Sequence, residues 1–175
     1  LKGEAVSAPK GTPAKAAFDA VDRDRSMKLN ACVSGSLLDM SEVEDDMFSR
    51  KMMGDGVAIE PMGDTVVAPA DAEVTMVMEE SLHAVGLRFE NGAELLIHLG
   101  IDTVKLHGKG FELLTRQGAK VTAGTPLIRF DRELIKASGY KDTVIMAVTN
   151  CAEYPQMQKE KNRIVRVGET PVLVF

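Results

Sequence analysis

The sequence has few cysteines, no long apolar run and no excess of positive charge. Its two cysteines, Cys32 and Cys151, lie far apart and match no metal-binding spacing. They indicate free thiols in a reducing cytoplasm, with a single disulfide as the alternative. No apolar stretch is long enough to span a bilayer, and residues 1–30 lack a secretory signal. The net charge of −5 argues against binding to nucleic acid.

Several common catalytic motifs are also missing. The chain has no Gly-x-x-x-x-Gly-Lys-Ser/Thr phosphate loop, no serine nucleophile elbow and no Cys-x-x-Cys pair. The methionine-lysine hairpin of biotin and lipoyl carriers is absent too. With these motifs excluded, the three histidines are the first candidates for a chemical role.

Two regions are distinguished by composition. Residues 1–28 are rich in Ala, Lys, Asp, Ser and Pro and show no helical or strand period, so we expect a flexible linker or tail. Residues 29–175 alternate short apolar runs with glycine and proline. At 175 residues the chain is long enough to bury one good core, and 45% of its residues are apolar.

The alternation of short apolar runs with glycine and proline in residues 29–175 predicts an all-β fold. Short β-branched runs at roughly ten-residue spacing indicate an antiparallel β-sandwich or barrel with one or two short helices. Asn91 and Gly92 predict a hairpin turn because both residue types tolerate positive φ. Asp131 and Gly139 are suited to begin and end a helix.

A weak internal repeat is visible in residues 121–128 and 165–173. Each segment reads as a valine, a glycine turn, a proline and an apolar strand. Two related β-halves would each leave an open face and would bury it against the other half. The sequence therefore predicts a duplicated motif.

The segment 92–104 places one histidine inside a nearly continuous apolar strand. With the two-residue period of a strand, one set of side chains faces a core and the other an open surface. The core set is Leu95, Ile97, Leu99 and Ile101, and the open set is Glu94, Leu96, His98, Gly100 and Asp102. A histidine beside a glycine on a rigid strand is well placed to meet another molecule.

The spacing alone leaves two interpretations of His98 open. A lone strand histidine is commonly a core or interface residue that is satisfied by a hydrogen bond. A hairpin at residues 90–93 would instead bring His83 close to His98 as a functional pair, although the register is not fixed by one sequence. His107 lies between glycines and lysines, so we expect a solvated turn residue with no role.

Taken together, these motifs resemble the glucose-type enzyme IIA domain of the bacterial phosphoenolpyruvate-dependent sugar phosphotransferase system. Residues 92–104 match the phosphorylation-site signature of that family throughout. Supporting matches occur in the right order at residues 54–59, 67–69, 81–84, 130–131 and 167–171. The resemblance covers roughly residues 32–175 and implies an all-β sandwich built from a duplicated motif.

The resemblance also implies a phosphotransferase component that acts through a phosphohistidine. His98 would accept a phosphoryl group from the histidine-containing phosphocarrier protein and pass it to the enzyme IIB domain of a sugar permease. His83 would be needed to pass the group on, and Ser81 would orient His83. Such a domain would be cytoplasmic, either as a free subunit or tethered to the membrane through a permease, with no direct membrane insertion.

Leu96 and Leu99 flank His98, and we expect whichever of them is exposed to help a protein partner exclude water. Asp102 completes this partner-binding set, where it would repel the phosphoryl group or favour its release to the next carrier. Glu79 departs from the family because relatives commonly carry an aromatic or apolar docking residue there. No cofactor is required, although two imidazoles at an interface suit zinc. We therefore expect weak zinc binding by His83 and His98.

Two other classes of function compete with the carrier. His98 and Asp102 have the spacing of a ligand pair in lysostaphin-type zinc peptidases, but those enzymes also need a downstream His-x-His element, and none follows His107. A regulatory or binding module without turnover is the third possibility, and it is compatible with the carrier role.

Overall fold

Short antiparallel strands make up most of the protein. The computed structural model describes residues 21–161 and 163–175, and these contain fourteen strands. The strands are β1 Lys28–Asn30, β2 Gly35–Asp39, β3 Asp55–Pro61, β4 Thr65–Val67, β5 Ala72–Val77, β6 Ala84–Phe89, β7 Glu94–Leu99, β8 Phe111–Leu113, β9 Lys120–Val121, β10 Pro126–Phe130, β11 Val144–Val148, β12 Gln158–Lys159, β13 Ile164–Val165 and β14 Pro171–Val174. The helices are α1 Asp46–Ser49 and α2 Arg132–Ala137, with 3-10 turns at Met40–Glu42, Thr103–Leu106 and Cys151–Glu153.

One large sheet and two small sheets enclose the core. The large sheet has eight strands in the order β13-β2-β3-β11-β7-β6-β5-β9, and the small sheets have the orders β1-β14-β12 and β4-β10-β8. Every strand pair is antiparallel. The main apolar cluster takes side chains from all three sheets. The predicted all-β class, with two short helices, is confirmed.

The repeat seen in the sequence is a structural duplication. The amides of Gly124 and Gly168 donate to the carbonyls of Ala68 and Ala31, at 2.8 and 3.0 Å. Each alanine amide in turn donates to the threonine carbonyl that precedes the proline of the repeat, at 2.9 and 2.8 Å. The strands after these turns, β10 and β14, occupy the centres of the two small sheets. The two halves therefore repeat the same connections, as the sequence predicted.

The predicted hairpin turn and the predicted start and end of the helix are confirmed. Gly92 has a φ of +85°, and the side chain of Asn91 accepts from the amide of Ala93, which closes the turn between β6 and β7. The side chain of Asp131 caps α2 by accepting from an amide in its first turn. Gly139, with a φ of +91°, follows the end of that helix.

The folded region begins earlier than the sequence predicted. Residues 1–20 lie outside the described residues, so the flexible linker stays a prediction there. Residues 21–28 were assigned to the same linker, but Lys28 is part of β1, and the carbonyl of Met27 accepts from the amide of Phe175 at 2.9 Å. This edge of the prediction is wrong because alternating polar residues hid a short strand that pairs with the C-terminus.

The two cysteines are free thiols, as the sequence indicated. Cys32 is buried and Cys151 is half-buried, and both are free. Burial raises the pKa of the Cys32 thiol to about 12, so this thiol is inert at neutral pH. No helix among residues 21–161 and 163–175 is long and apolar enough to cross a membrane.

Candidate functional site

The site lies at the centre of the large sheet, where β7 is paired on both sides. His98 lies opposite Ala84 of β6 and opposite Ile145 of β11. Both neighbours belong to a second apolar cluster on the outer face of the sheet. Because β7 is bonded on both edges, the backbone of His98 is held rigidly while its ring stands on the outer face, half-buried.

The predicted alternation along this strand is confirmed up to Leu99 and fails after it. Leu95, Ile97 and Leu99 pack in the main core, as expected. Ile101 was predicted to join them but packs in the second cluster, on the same side as His98. The reason is that β7 ends at Leu99 and Gly100 has a φ of +85°, so the chain turns and the two-residue period stops.

The hairpin brings the second histidine against the first. The rings of His83 and His98 have centroids 4.7 Å apart and lie nearly perpendicular, at 89°. The carbonyl of His83 accepts from the amide of Leu99 at 2.8 Å, which ties His83 to the end of β7. The Nδ1 atom of His83 lies 2.9 Å from the hydroxyl of Ser81. The predicted contacts among these three polar side chains are therefore present.

A phenylalanine that the sequence analysis missed covers the other side of His98. The ring of Phe48 lies 4.9 Å from that of His98, at 58°. Phe48 belongs to α1, where the side chain of Asp45 caps the first turn. The sequence did contain one indication that Phe48 is buried, because an apolar residue three positions after a capping aspartate lies in the first turn of a helix. Its long-range contact with β7 was not visible in the sequence.

Burial keeps the ring of His98 neutral. The pKa of His98 is lowered to about 4, first by desolvation and then by the nearby His83, while a weaker interaction with the backbone of Gly100 opposes both. Desolvation also lowers the pKa of His83. The Nδ1 atom of His98 is buried and has no partner at hydrogen-bond geometry. Since the residue is half-buried, the exposed edge of its ring carries Nε2.

This pKa makes stability depend on pH in a defined direction. The unfolded chain binds a proton at His98 below about pH 6.5, whereas the folded protein resists protonation down to a pKa of about 4. Unfolding is therefore favoured as the pH falls through this window, and the loss reaches at most about 3 kcal/mol. We expect His98→Gln to remove this part of the pH dependence in urea titrations. His107→Gln is the control and should retain it.

The predicted partner-binding residues are placed unequally. Leu99 is fully buried in the main core, on the face of β7 away from His98, so of the two leucines that flank His98 it is not the one available to a partner. Leu96 lies beside His98 on the outer face and is 8% exposed. Asp102 and Glu79 are exposed. His107 is an exposed turn residue, as expected.

An exposed apolar rim accompanies these polar residues. Met47, Met78 and Val104 are apolar side chains that are 47%, 37% and 47% exposed. Met47 precedes Phe48, and the carbonyl of Met78 accepts from the amide just before His83. Met47 and Met78 therefore belong to the segments that hold Phe48 and His83, and their exposed apolar side chains can exclude water when a partner protein docks.

The site offers two imidazoles to a metal ion. Among residues 21–161 and 163–175, no three His, Cys, Asp or Glu side chains are grouped so that they could hold a metal. His83 and His98 would supply only two of the four ligands that zinc prefers. Nothing in the geometry therefore favours a zinc hydrolase.

The comparisons with known proteins agree with one another, because each matches an enzyme IIA component or domain. The family model for the phosphoenolpyruvate-dependent sugar phosphotransferase system, EIIA 1, matches residues 27–154. The glucose-specific EIIA component of Staphylococcus epidermidis is 39% identical over 150 residues, which cover 86% of this chain and 90% of that protein. The glucose-specific EIICBA component of Staphylococcus carnosus is 46% identical over 144 residues, 82% of this chain and 21% of that protein. The structure of glucose permease IIA from Mycoplasma capricolum matches with a TM-score of 0.74 and 29% identity, over 86% of this chain and 96% of that one.

Proposed function

Because this chain belongs to the EIIA 1 family of the phosphoenolpyruvate-dependent sugar phosphotransferase system, we propose that His98 carries a phosphoryl group during sugar uptake. The group comes from the histidine-containing phosphocarrier protein and leaves to an enzyme IIB domain. The observation that supports this proposal most strongly is the contact between two imidazoles whose pKa values are lowered, on a strand fixed at both edges. The cytoplasmic location expected for such a carrier belongs to the same proposal.

The acceptor atom is Nε2 of His98. Its lone pair attacks the phosphorus of the donor phosphohistidine, the new N–P bond forms as the donor's N–P bond breaks, and the donor imidazole leaves. Such a transfer asks little covalent chemistry of the protein and depends on positioning and charge. With a pKa of about 4, roughly one His98 ring in a thousand is protonated at neutral pH. The nucleophile is thus available without a general base.

His83 stabilises the charge on the transferred group. If the hydroxyl of Ser81 donates to Nδ1 of His83, the proton of the neutral ring lies on Nε2. That N–H can donate to a phosphoryl oxygen on the neighbouring His98, since the two rings are in contact. A hydrogen bond of this kind strengthens as charge develops on the oxygens in the transition state. His83 therefore assists transfer, while His98 alone forms the bond to phosphorus.

The names of relatives support an enzyme IIB domain as the recipient. In Staphylococcus carnosus and Corynebacterium glutamicum, related EIIA sequences are part of EIICBA and EIIBCA components, of which this chain spans about a fifth. An EIIA domain in the same polypeptide as EIIB has its recipient nearby at high effective concentration. We propose the same transfer here, in a fused protein or between separate subunits.

The exposed rim supplies the docking surface. Met47, Met78 and Val104 provide apolar area around the histidine pair, and Asp102 provides a carboxylate at its edge. Apolar area surrounded by charge is typical of transient protein interfaces. Excluding water on docking strengthens every electrostatic interaction with the phosphoryl group.

Zinc is expected to bind weakly to the isolated domain. The two imidazoles of His83 and His98 leave two tetrahedral positions for water or for a partner's carboxylate. Calorimetric titration with zinc should give a dissociation constant above the micromolar range, and His83→Ala should weaken it further. Tight binding of one equivalent would contradict this expectation.

The transfer itself is the test of the proposed function. The chain is labelled with phosphoenolpyruvate, enzyme I and the phosphocarrier protein, separated from them, and mixed with an EIIB domain of the glucose type. We expect the label to move to EIIB and the chain to return to its unlabelled mass. A label that stays on this chain, with an EIIB domain shown to accept it from another EIIA protein, would contradict the proposal.

A further inference from the structure

The residue before His83 has a strained backbone. Leu82 has a φ of +57°, in the left-handed region that bulky side chains rarely adopt. Such a conformation costs about 1–2 kcal/mol for a residue with a Cβ atom. Strain of this size persists only where the surroundings over-determine it, and it is concentrated near functional sites. Here it reverses the chain between an exposed turn and β6, so that His83 faces His98.

Two backbone hydrogen bonds hold the chain on either side of the reversal. The amide of Leu82 donates to the carbonyl of Met78 at 2.7 Å, which closes the turn at residues 78–81. The bond between the carbonyl of His83 and the amide of Leu99 fixes the following residue. The side chain of Leu82 packs against the main core. The orientation of His83 therefore depends on where the turn lies.

A glycine from a different loop lies directly against this turn. Gly108 has a φ of +87°, and a Cβ built on it would lie 2.8 Å from the carbonyl oxygen of Glu80 and 3.6 Å from Cδ1 of Leu82. A Cβ atom at 2.8 Å from a backbone oxygen is not tolerated, so one of the two segments would have to move. The bare Cα of Gly108 thus allows the loop and the turn to touch.

Two backbone hydrogen bonds anchor the loop, one to the 3-10 turn before it and one to the start of α2. The amide of Lys109 donates to the carbonyl of Leu106 at 3.0 Å, and that of Asp131 donates to the carbonyl of Gly110 at 2.7 Å. The turn exposes Glu79 and Glu80 to solvent. A group added to Gly108 would consequently displace the turn and, through Leu82, the ring of His83.

We propose that Gly108 is a positioning residue for His83. It lets the loop at residues 108–110 support the turn at residues 78–81, and this support sets the distance from the ring of His83 to a phosphoryl group on His98. The inference rests on the proposed function for its kinetic consequence. Its structural consequence, a displaced His83 ring, stands apart from that function.

The test compares two glycines with the same backbone conformation. Gly118 has a φ of +88°, but a Cβ there would meet nothing within 4 Å. Gly108→Ala and Gly118→Ala therefore introduce similar backbone strain, and only Gly108→Ala pushes on the turn. We expect Gly108→Ala to accept the label on His98 at the wild-type rate and to pass it to EIIB at least about tenfold more slowly. Gly118→Ala should match the wild type in both steps.

The second readout follows the ring of His83 directly. In the unphosphorylated protein, imidazole nitrogen chemical shifts report the tautomer of His83 and its contact with Ser81. We expect these shifts to change in Gly108→Ala and to stay unchanged in Gly118→Ala. Leu82→Asn tolerates the left-handed conformation but removes the side chain that packs against the main core beside Gly108. It should also change the shifts and slow the transfer without a steric clash.

The outcomes separate this inference from the proposed function. If Gly108→Ala matches Gly118→Ala in the transfer rate and in the shifts of His83, Gly108 does not position this ring. If even the wild type accepts no label, the proposed function fails, while changed His83 shifts in Gly108→Ala alone still support the structural inference. Unchanged shifts in that case would overturn both.

Discussion

Replacing His83 with alanine is expected to leave acceptance on His98 intact and to slow the transfer to EIIB by about 10²- to 10⁴-fold. The bond to phosphorus is formed by His98, whose strand is held by β6 and β11 and does not depend on the His83 side chain. The ring of His83 lies against that of His98 and supplies an N–H to the phosphoryl oxygens. Removing it takes away stabilisation of the transition state while the acceptor remains.

The measurement follows both half-reactions separately. Labelling from phosphoenolpyruvate gives the acceptance rate, and mixing the purified labelled variant with EIIB gives the transfer rate. His107→Ala is the matched control, because His107 is an exposed turn histidine. Equal loss in both half-reactions would mean that His83 maintains the site as a whole and has no specific part in transfer.

Phe48→Ala is expected to destabilise the protein by about 3 kcal/mol and to make acceptance sensitive to acid. Phe48 is 5% exposed and covers the ring of His98. Without it, water reaches the imidazole, and the pKa of His98 rises from about 4 toward its ordinary value of 6.5. The wild type should keep most of its acceptance rate at about pH 5.5, whereas the variant should lose about fivefold.

A conservative variant separates the two effects of Phe48. Phe48→Leu keeps most of the apolar cover, so its pH profile should stay near that of the wild type even if some stability is lost. The measurements are urea unfolding at neutral pH and acceptance rates from pH 8 to pH 5. An unchanged pH profile in Phe48→Ala would show that other groups determine the pKa of His98.

The local elements of the site were predictable from the sequence because each has a local cause. The alternation along β7, the turn at Gly92 and the cap at Asp131 depend on a few adjacent residues, and all three are confirmed. The proximity of the two histidines followed from the turn at Gly92. The register between β6 and β7 did not follow from it, because one sequence gives no cross-strand information.

The features that were missed depend on distant or cooperative contacts. Phe48 reaches His98 across fifty positions of sequence, and no local pattern announces that contact. The period-two rule assigned Ile101 to the main core because it assumed that the strand continued past Gly100. Leu82 has a left-handed backbone although leucine carries no local signal for it. Such positions are fixed by tertiary structure, and the sequence alone does not reveal them.

The most direct measurement is the intact mass of the protein after incubation with phosphoenolpyruvate, enzyme I and the phosphocarrier protein. Wild type, His83→Ala and His98→Ala are compared, with an acid treatment to test the lability of the label. The account predicts one acid-labile phosphoryl group on wild type and on His83→Ala, and none on His98→Ala. A label on folded His98→Ala, or no label on wild type while enzyme I and the carrier are shown to be active, would contradict it.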